Sequence, residues 1–292
     1  MFKSKVNALR FAMATLSIFG ATTLSAADDR FADVQISTQA VNGSTYMLTG
    51  AGGNIGVSAG DDGILIIDDQ FAPLADKIAL AIGDIAKQPM KYVINTHYHG
   101  DHTGSNAYFK EVQESTIFAH DNVRKRLAAE DGHKHAALPV VTYEQGLTFH
   151  FNGDTIKVVH LPAGHTDSDS VVWFEQANVL HAGDLFFQGR FPYIDLAGGG
   201  TVDGYIRNVS TVIGMINNDT RVMPGHGELA DKKAYQASLE MMQQTANYVS
   251  DRKAKGASLD SIIEEGLDEK WQDWAWNFIT EEKWITTLYN GQ

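Results

Sequence analysis

The run Thr96-His97-Tyr98-His99-Gly100-Asp101-His102-Thr103-Gly104 places three imidazoles and one carboxylate within six residues. Neutral imidazole nitrogen is a good donor to zinc, and a carboxylate suits zinc, iron or manganese. Leaving the end of a strand at Thr96, so compact a loop can aim His97 and His99 at one metal ion. Asp101 and His102 then turn toward a second point a few ångström away. The 292 residues contain no cysteine, which excludes disulfides, thiolate zinc sites and a thiol nucleophile and leaves the chemistry to His, Asp and Glu.

Three further polar residues stand at similar junctions, each after an apolar strand and each beside glycine. They are His165 in Leu161-Pro162-Ala163-Gly164-His165-Thr166, Asp184 in His181-Ala182-Gly183-Asp184, and His226 in Met223-Pro224-Gly225-His226-Gly227. Loops at strand ends are where sites are built. Two metal ions a few ångström apart take about seven or eight protein ligands, a solvent molecule and a carboxylate able to bridge. The set counts out: His97, His99 and His165 for the first ion, Asp101, His102 and His226 for the second, and Asp184 between them. Solvent held by such a pair is acidified toward neutrality and supplies hydroxide as the nucleophile.

Bringing these residues together requires strands that end at one edge. Alternating apolar and polar residues over 34–40, 45–48, 55–59 and 64–67 begin a sheet, with Asp62-Gly63 offering a hairpin turn between the last two. Leu74, Ile78, Ala81, Ile82 and Ile85 repeat at helical spacing, and 91–96 reads as a buried strand ending in polar residues. A strand, helix, strand crossover implies a parallel pair. A helix is expected over 121–130, then strands near 147–151, 156–161, 170–174 and 179–182. The last part reads as helices over 202–215, 232–255, 259–266 and 281–289, with a short strand at 221–223. Two strand-rich stretches flanked by helices, with no Pro/Gly/Ser linker between them, predict one domain of two packed sheets with helices outside. Gly50-Ala51-Gly52-Gly53-Asn54-Ile55-Gly56 imitates a dinucleotide fingerprint, but a strand follows it where a helix would be needed. Gly198-Gly199-Gly200 reads as a loop before a helix.

With the His-x-His-x-Asp-His loop followed in order by His165, Asp184 and His226, the chain resembles the metallo-β-lactamase fold superfamily of metallo-hydrolases over about 34–226. The resemblance implies a four-layer αββα sandwich with a dimetal centre at one edge of the two sheets, and it carries the ligand roles onto the seven positions named above. It also implies that a metal polarises the substrate carbonyl, that the bridging hydroxide attacks, and that Asp101 both binds metal and helps orient the nucleophile. Asp184 at the bridging position is similar to the glyoxalase II and lactonase branches. The common zinc β-lactamases either use a cysteine there or lack a protein bridge.

Other polar residues have plainer explanations. His160 and His181 lie inside apolar strands and suit core roles or support of the ligands. His120 suits a helix cap, and His133, Lys134 and His135 a solvated loop. Asp167 and Asp169 could orient an imidazole through its second nitrogen or cap their own loop. Arg190 could clamp a substrate carboxylate and Tyr193 could donate to a developing oxyanion; equally, Arg190 could be solvated while Phe186, Phe187 and Phe191 pack. Trp271, Trp274, Trp276 and Trp284 concentrate aromatic area at the C-terminus, for core packing, a dimer contact or a pocket wall.

The balance of 23 basic and 36 acidic side chains gives a formal net charge of -13, which repels polyanions and offers no footprint for nucleic acid or anionic lipid. Lys3, Lys5 and Arg10, an apolar run over 11–20 and small residues over 22–27 have the layout of a secretory signal peptide cleaved after Ala26 or Ala27. The domain expectation is therefore a signal peptide over 1–27 and a hydrolase domain over 28–292 with a helical C-terminal part. The protein is expected to be periplasmic or secreted and free of membrane after cleavage. The function expected is that of a two-zinc hydrolase, with iron or manganese also compatible, acting on an ester, thioester, lactone or amide bond of a small molecule. β-Lactam hydrolysis is the first alternative, and an iron-dependent oxidoreductase on the same fold the second.

Overall fold

Residues 29–291 are described in the computed structural model of the chain; the signal peptide expected over 1–27 lies outside them. The chain opens with an antiparallel meander of β1 (Ser37–Asn42), β2 (Thr45–Thr49), β3 (Ile55–Gly60) and β4 (Gly63–Ile67). The hairpin between β3 and β4 turns through Asp61-Asp62, while Gly63, expected in the turn, is already paired with Gly60 at φ +121°.

Every residue of β4 is buried, because the sheet is covered on both faces. Leu65 and Ile67 point into a core shared with Met47, Ile94 and the second sheet. Ile64 and Ile66 point the other way, onto Ile78 and Ile82 of α1 (Ala75–Ile85). A continuous apolar strand is the pattern that such double cover demands. After α1 the chain returns as β5 (Met90–Asn95), parallel to β4 as expected of the crossover.

Beyond β5 the structure adds elements absent from the sequence expectations. These are α2 (Gly100–Thr103), α3 (Asn106–Glu111), β6 (Thr116–His120) and β7 (Val141–Tyr143), with the expected α4 (Asp121–Ala129) between the two strands. The His-rich segment is thus a strand end followed at once by a single helical turn rather than an open loop. Strands β4 to β7 are mutually parallel and complete a seven-stranded sheet.

The second sheet has six strands in the order β8 (Gly146–Phe151), β9 (Asp154–His160), β10 (Ser170–Phe174), β11 (Val179–His181), β12 (Arg221–Met223) and β13 (Ala230–Asp231). Its pairs are antiparallel except β11 and β12, which run parallel because α5 (Val202–Met215) crosses between them. Ile156, Val158, Val172 and Phe174 face the first sheet. Val171, Leu180 and Val222 face outward onto Tyr205 and Val209 of α5, Met241 and Met242 of α6 (Lys232–Ala254) and Trp284 of α8 (Glu281–Asn290). A short α7 (Leu259–Glu265) packs against α6 and α8. Helix, sheet, sheet, helix is the four-layer αββα sandwich expected.

Candidate metal centre

Five junctions at one edge of the two sheets supply the polar cluster. His97 and His99 follow β5, Asp101 and His102 ride the turn of α2, and His165 sits between β9 and β10. Asp184 lies in a 3-10 turn over Gly183–Leu185 after β11, and His226 follows β12. All seven residues singled out from the sequence converge here. His97, His99, His165 and Asp184 form one group and Asp101, His102 and His226 a second, each with ligand atoms within 4.8 Å of one another.

In the first group His99 Nδ1 lies 3.1 Å from His97 Nε2 and 2.9 Å from His165 Nε2. Asp184 Oδ2 stands 3.8 Å from His97 Nε2 and 3.4 Å from His165 Nε2. In the second group Asp101 Oδ2 is 3.3 Å from His226 Nε2 and 3.7 Å from His102 Nε2. The other oxygen of Asp184, Oδ1, reaches 3.1 Å from His102 Nε2 and 3.4 Å from His226 Nε2. One carboxylate therefore offers one oxygen to each group.

Four of the imidazoles have an oxygen on their far side. His97 Nδ1 meets Thr96 Oγ1 at 3.1 Å, His99 Nε2 meets Asp195 Oδ2 at 3.0 Å, His102 Nδ1 meets Asp68 Oδ2 at 2.7 Å and His165 Nδ1 meets the Tyr193 carbonyl at 2.7 Å. Thr96 gives its own hydroxyl proton to Asp68, so each outward nitrogen is the N–H donor, and the inward nitrogens of His97, His99 and His165 carry lone pairs. Lone pairs facing one another at 2.9–3.1 Å repel unless a cation stands among them. His102 Nε2 and Asp184 Oδ1 are moreover buried without a hydrogen-bond partner, a costly state that a bound cation relieves. The donor set fits a pair of metal ions.

The electrostatics differ between the two groups. Burial and the neighbouring imidazole of His102 push His97 well below the ordinary histidine range, and burial brings His165 down to about 4, so both are neutral donors at pH 7. Burial alone would raise Asp184, but His102, His226 and His165 outweigh it and keep the carboxylate ionised. Against their own burial, His226 is raised to about 9 by Asp184 and Asp101 and His102 well above the ordinary range by Asp184, Asp101 and Asp68, so an ion bound at the second group displaces their protons.

The glycines beside these residues have a steric purpose. A Cβ on Gly225 would lie 2.1 Å from Asp184 Oδ1, and one on Gly53 would lie 2.1 Å from His102 Cε1. The glycine-rich stretch before β3 is thus a close approach to the site and not a nucleotide loop. Two acidic residues that sequence reasoning passed over complete the support. Buried Asp68, at φ +63°, takes hydrogen bonds from His102, from Thr96 N at 2.7 Å and from Thr96 Oγ1 at 2.8 Å. Asp195 takes one from Tyr98 OH at 2.5 Å besides that from His99. Asp68 ends an apolar strand just as the ligands do, which was a usable signal; Asp195 carries none.

The other candidates resolve differently. Neither Asp167 nor Asp169 orients an imidazole through its second nitrogen. Asp167 pairs in bidentate fashion with Arg126 at 2.7 Å, and Asp169 accepts from the backbone of His165 at 2.6 Å and Thr166 at 3.0 Å, shaping the loop that presents His165. His181 is buried and donates to the Asn54 carbonyl at 3.1 Å. His160 stacks on His120 with centroids 3.6 Å apart, and His120 caps α4 by accepting from Asn122 N. His133, Lys134 and His135 are exposed and lie away from the site. A cavity of about 1110 Å³ opens over both groups, with Asp101, Asp184, His226, Arg190, Tyr193 and Trp276 in its wall. Trp284 is buried instead beneath α6, its Nε1 donating to Thr245 Oγ1 at 3.0 Å, and Trp271 and Trp274 pack on the same core.

Residues 44–239 match the family model described as the Metallo-beta-lactamase superfamily. The chain is 25% identical over 185 residues to a protein named metallo-beta-lactamase type 2 from Elizabethkingia meningoseptica, covering 62% of this chain and 72% of that one. It is 31% identical over 96 residues to a hydroxyacylglutathione hydrolase from Methylococcus capsulatus, covering 33% and 34%. A solved metallo-beta-lactamase from Pontibacter korlensis superposes with a TM-score of 0.63 at 20% identity, over 72% of this chain and 99% of that one, a likeness of fold.

Proposed function

The chain belongs to the Metallo-beta-lactamase superfamily of metal-dependent hydrolases, and from that premise we propose that it is an exported two-zinc hydrolase of small molecules that cleaves an ester, thioester, lactone or amide bond. The observation that carries the proposal is the division of Asp184, with Oδ2 toward His97, His99 and His165 and Oδ1 toward His102 and His226. Bound by these seven residues, a metal pair supplies Lewis acidity toward a carbonyl oxygen and acidifies solvent into a nucleophile.

The chain's own groups do the rest. Asp101 is the more accessible of the two ligand carboxylates, its side chain 23% exposed against 4% for Asp184, and it can accept a proton from the attacking solvent and aim it across the cavity. Asp68 and Asp195 fix which nitrogen of His102 and His99 faces inward. Tyr193, held above its ordinary pKa chiefly by burial, stays a donor at the cavity wall. Export is supported by the layout of residues 1–27, with charged, apolar and small-residue segments in that order.

A β-lactam is the second substrate class, favoured by the likeness over 185 residues to a protein of that name. The test is turnover of β-lactam, lactone, thioester and aryl-ester substrates before and after chelation, with zinc returned. Activity on one class that chelation abolishes and zinc restores is expected. Turnover that survives full metal removal would overturn the proposal.

A further inference from the structure

One wall of the cavity is a continuous aromatic arc that joins the two metal groups. Phe187 stacks on His226 with centroids 4.9 Å apart and planes at 14°, and Trp276 follows 6.2 Å from Phe187. Phe278 lies 5.5 Å from Trp276, Tyr193 lies 5.4 Å from Phe278, and Tyr193 closes on His99 at 5.8 Å. The arc begins on an imidazole of one group and ends on an imidazole of the other.

Trp276 and Phe278 follow the 3-10 turn Glu269–Trp274 and lie outside residues 44–239, the stretch matched by the family model. Their placement is enforced. Trp276 Nε1 donates to the Phe191 carbonyl at 3.0 Å, Trp276 N donates to the Ile279 carbonyl at 3.0 Å, and Phe191 N donates to the Trp274 carbonyl at 2.8 Å. The Arg190 guanidinium adds a cation over the indole at 5.2 Å. Phe278 is nevertheless left 49% exposed at the mouth, apolar area that gains from being covered.

Trp276, Phe278 and Tyr193 present aromatic surface to the cavity, with Trp276 anchored by its hydrogen bonds, and such a wall selects flat π-systems over saturated groups of equal bulk. We propose that this arc is a subsite for an aromatic ring on the substrate, so that the scissile bond delivered to the two metal groups belongs to an aryl-bearing molecule. The proposal rests on the hydrolase reading above for what happens to that bond, but the subsite itself is built from residues that need no metal.

The test is equilibrium dialysis of the full chain against 2-naphthylmethanol and its saturated decahydronaphthyl counterpart, with zinc present and after chelation. Neither probe has a bond for the enzyme to cleave, so a failure of the hydrolase reading would leave the binding result intact. The naphthyl probe is expected to bind about fivefold to tenfold more tightly than the saturated one in both metal states. Phe278→Ala, at a half-exposed position, and Trp276→Ala should each remove most of that preference, and Trp276→Phe should keep it. Equal binding of the two probes, or a preference untouched in both alanine variants, would overturn the subsite.

Discussion

Asp184 Oδ1 stands 3.1 Å from His102 Nε2, and both atoms are buried without a hydrogen-bond partner. His102 already donates its other nitrogen to Asp68, and against its burial Asp184, Asp101 and Asp68 raise it well above the ordinary histidine range, so a proton or a metal ion must stand between its inward nitrogen and the carboxylate oxygen. A metal ion takes that place once the proton leaves. The confinement of the two atoms is what ties the fold to metal binding.

Asp101→Asn keeps the shape of the α2 turn and removes the charge. Turnover of the zinc-loaded protein should fall by about 10²–10⁴-fold, while the urea unfolding midpoint moves little because the side chain is partly exposed. An unchanged rate would remove Asp101 from the chemistry.

Asp68→Asn should act chiefly through His102, with a smaller effect on His97 passed on by the Thr96 hydroxyl. With the hydrogen bond that fixes the His102 imidazole weakened, affinity at the second group is expected to drop by about 10–100-fold, with a smaller loss at the three-histidine group. Competition with a chromophoric chelator resolves the two affinities; equal losses at both groups would show a general collapse instead.

Gly53→Ala tests the steric reading of the glycine-rich stretch. The new Cβ would lie 2.1 Å from the His102 ring, and Gly53 cannot retreat, since its N donates to the Asp101 carbonyl at 3.1 Å and its carbonyl accepts from Gln70 Nε2 at 2.7 Å. Second-ion affinity and turnover should both fall at least tenfold, roughly the cost of a displaced ligand. Gly214→Ala in α5, where a Cβ meets nothing within 4 Å, should instead stabilise the chain by about 0.5–1 kcal/mol. Thermal melts beside the chelator titration separate the two outcomes.

His120 gives the acid limb of stability a definite sign. Burial and the stacked His160 bring it from an ordinary 6.5 to about 4. As pH falls from about 6.5 toward 4, the unfolded chain takes up a proton that the folded chain refuses, so stability declines across that window and this contribution ends below about 4. His120→Asn keeps an acceptor for the α4 cap and removes the titration. Urea unfolding between pH 4 and 7 should show a slope shallower by up to one proton; an unaltered slope would exclude His120.

Legibility followed locality. His97, His99, Asp101 and His102 are neighbours in the chain, and His165, Asp184 and His226 share a local signature of apolar strand, glycine and polar residue, so the site could be read before the fold was seen. Asp195 reaches His99 across 96 positions, a relation that only tertiary packing creates. The strand Thr116–His120 is hard to read because its apolar run is only Ile117-Phe118-Ala119, too short to tell a strand from a helix, and Val141–Tyr143 because three residues hold no period. The one-turn helix Gly100–Thr103 looks like a loop for the same reason, although it aims Asp101 and His102. Trp276 was one of four tryptophans open to several uses; its place in the cavity wall depends on the backbone of Phe191, 85 positions away.

A metal pair bridged by Asp184 is open to a direct count of ions by plasma mass spectrometry of the purified chain beside Asp184→Ala. The expected result is close to two zinc ions per wild-type chain, falling toward one in the variant as the shared oxygens are lost. One ion or none in the wild type, or two retained without Asp184, would contradict it.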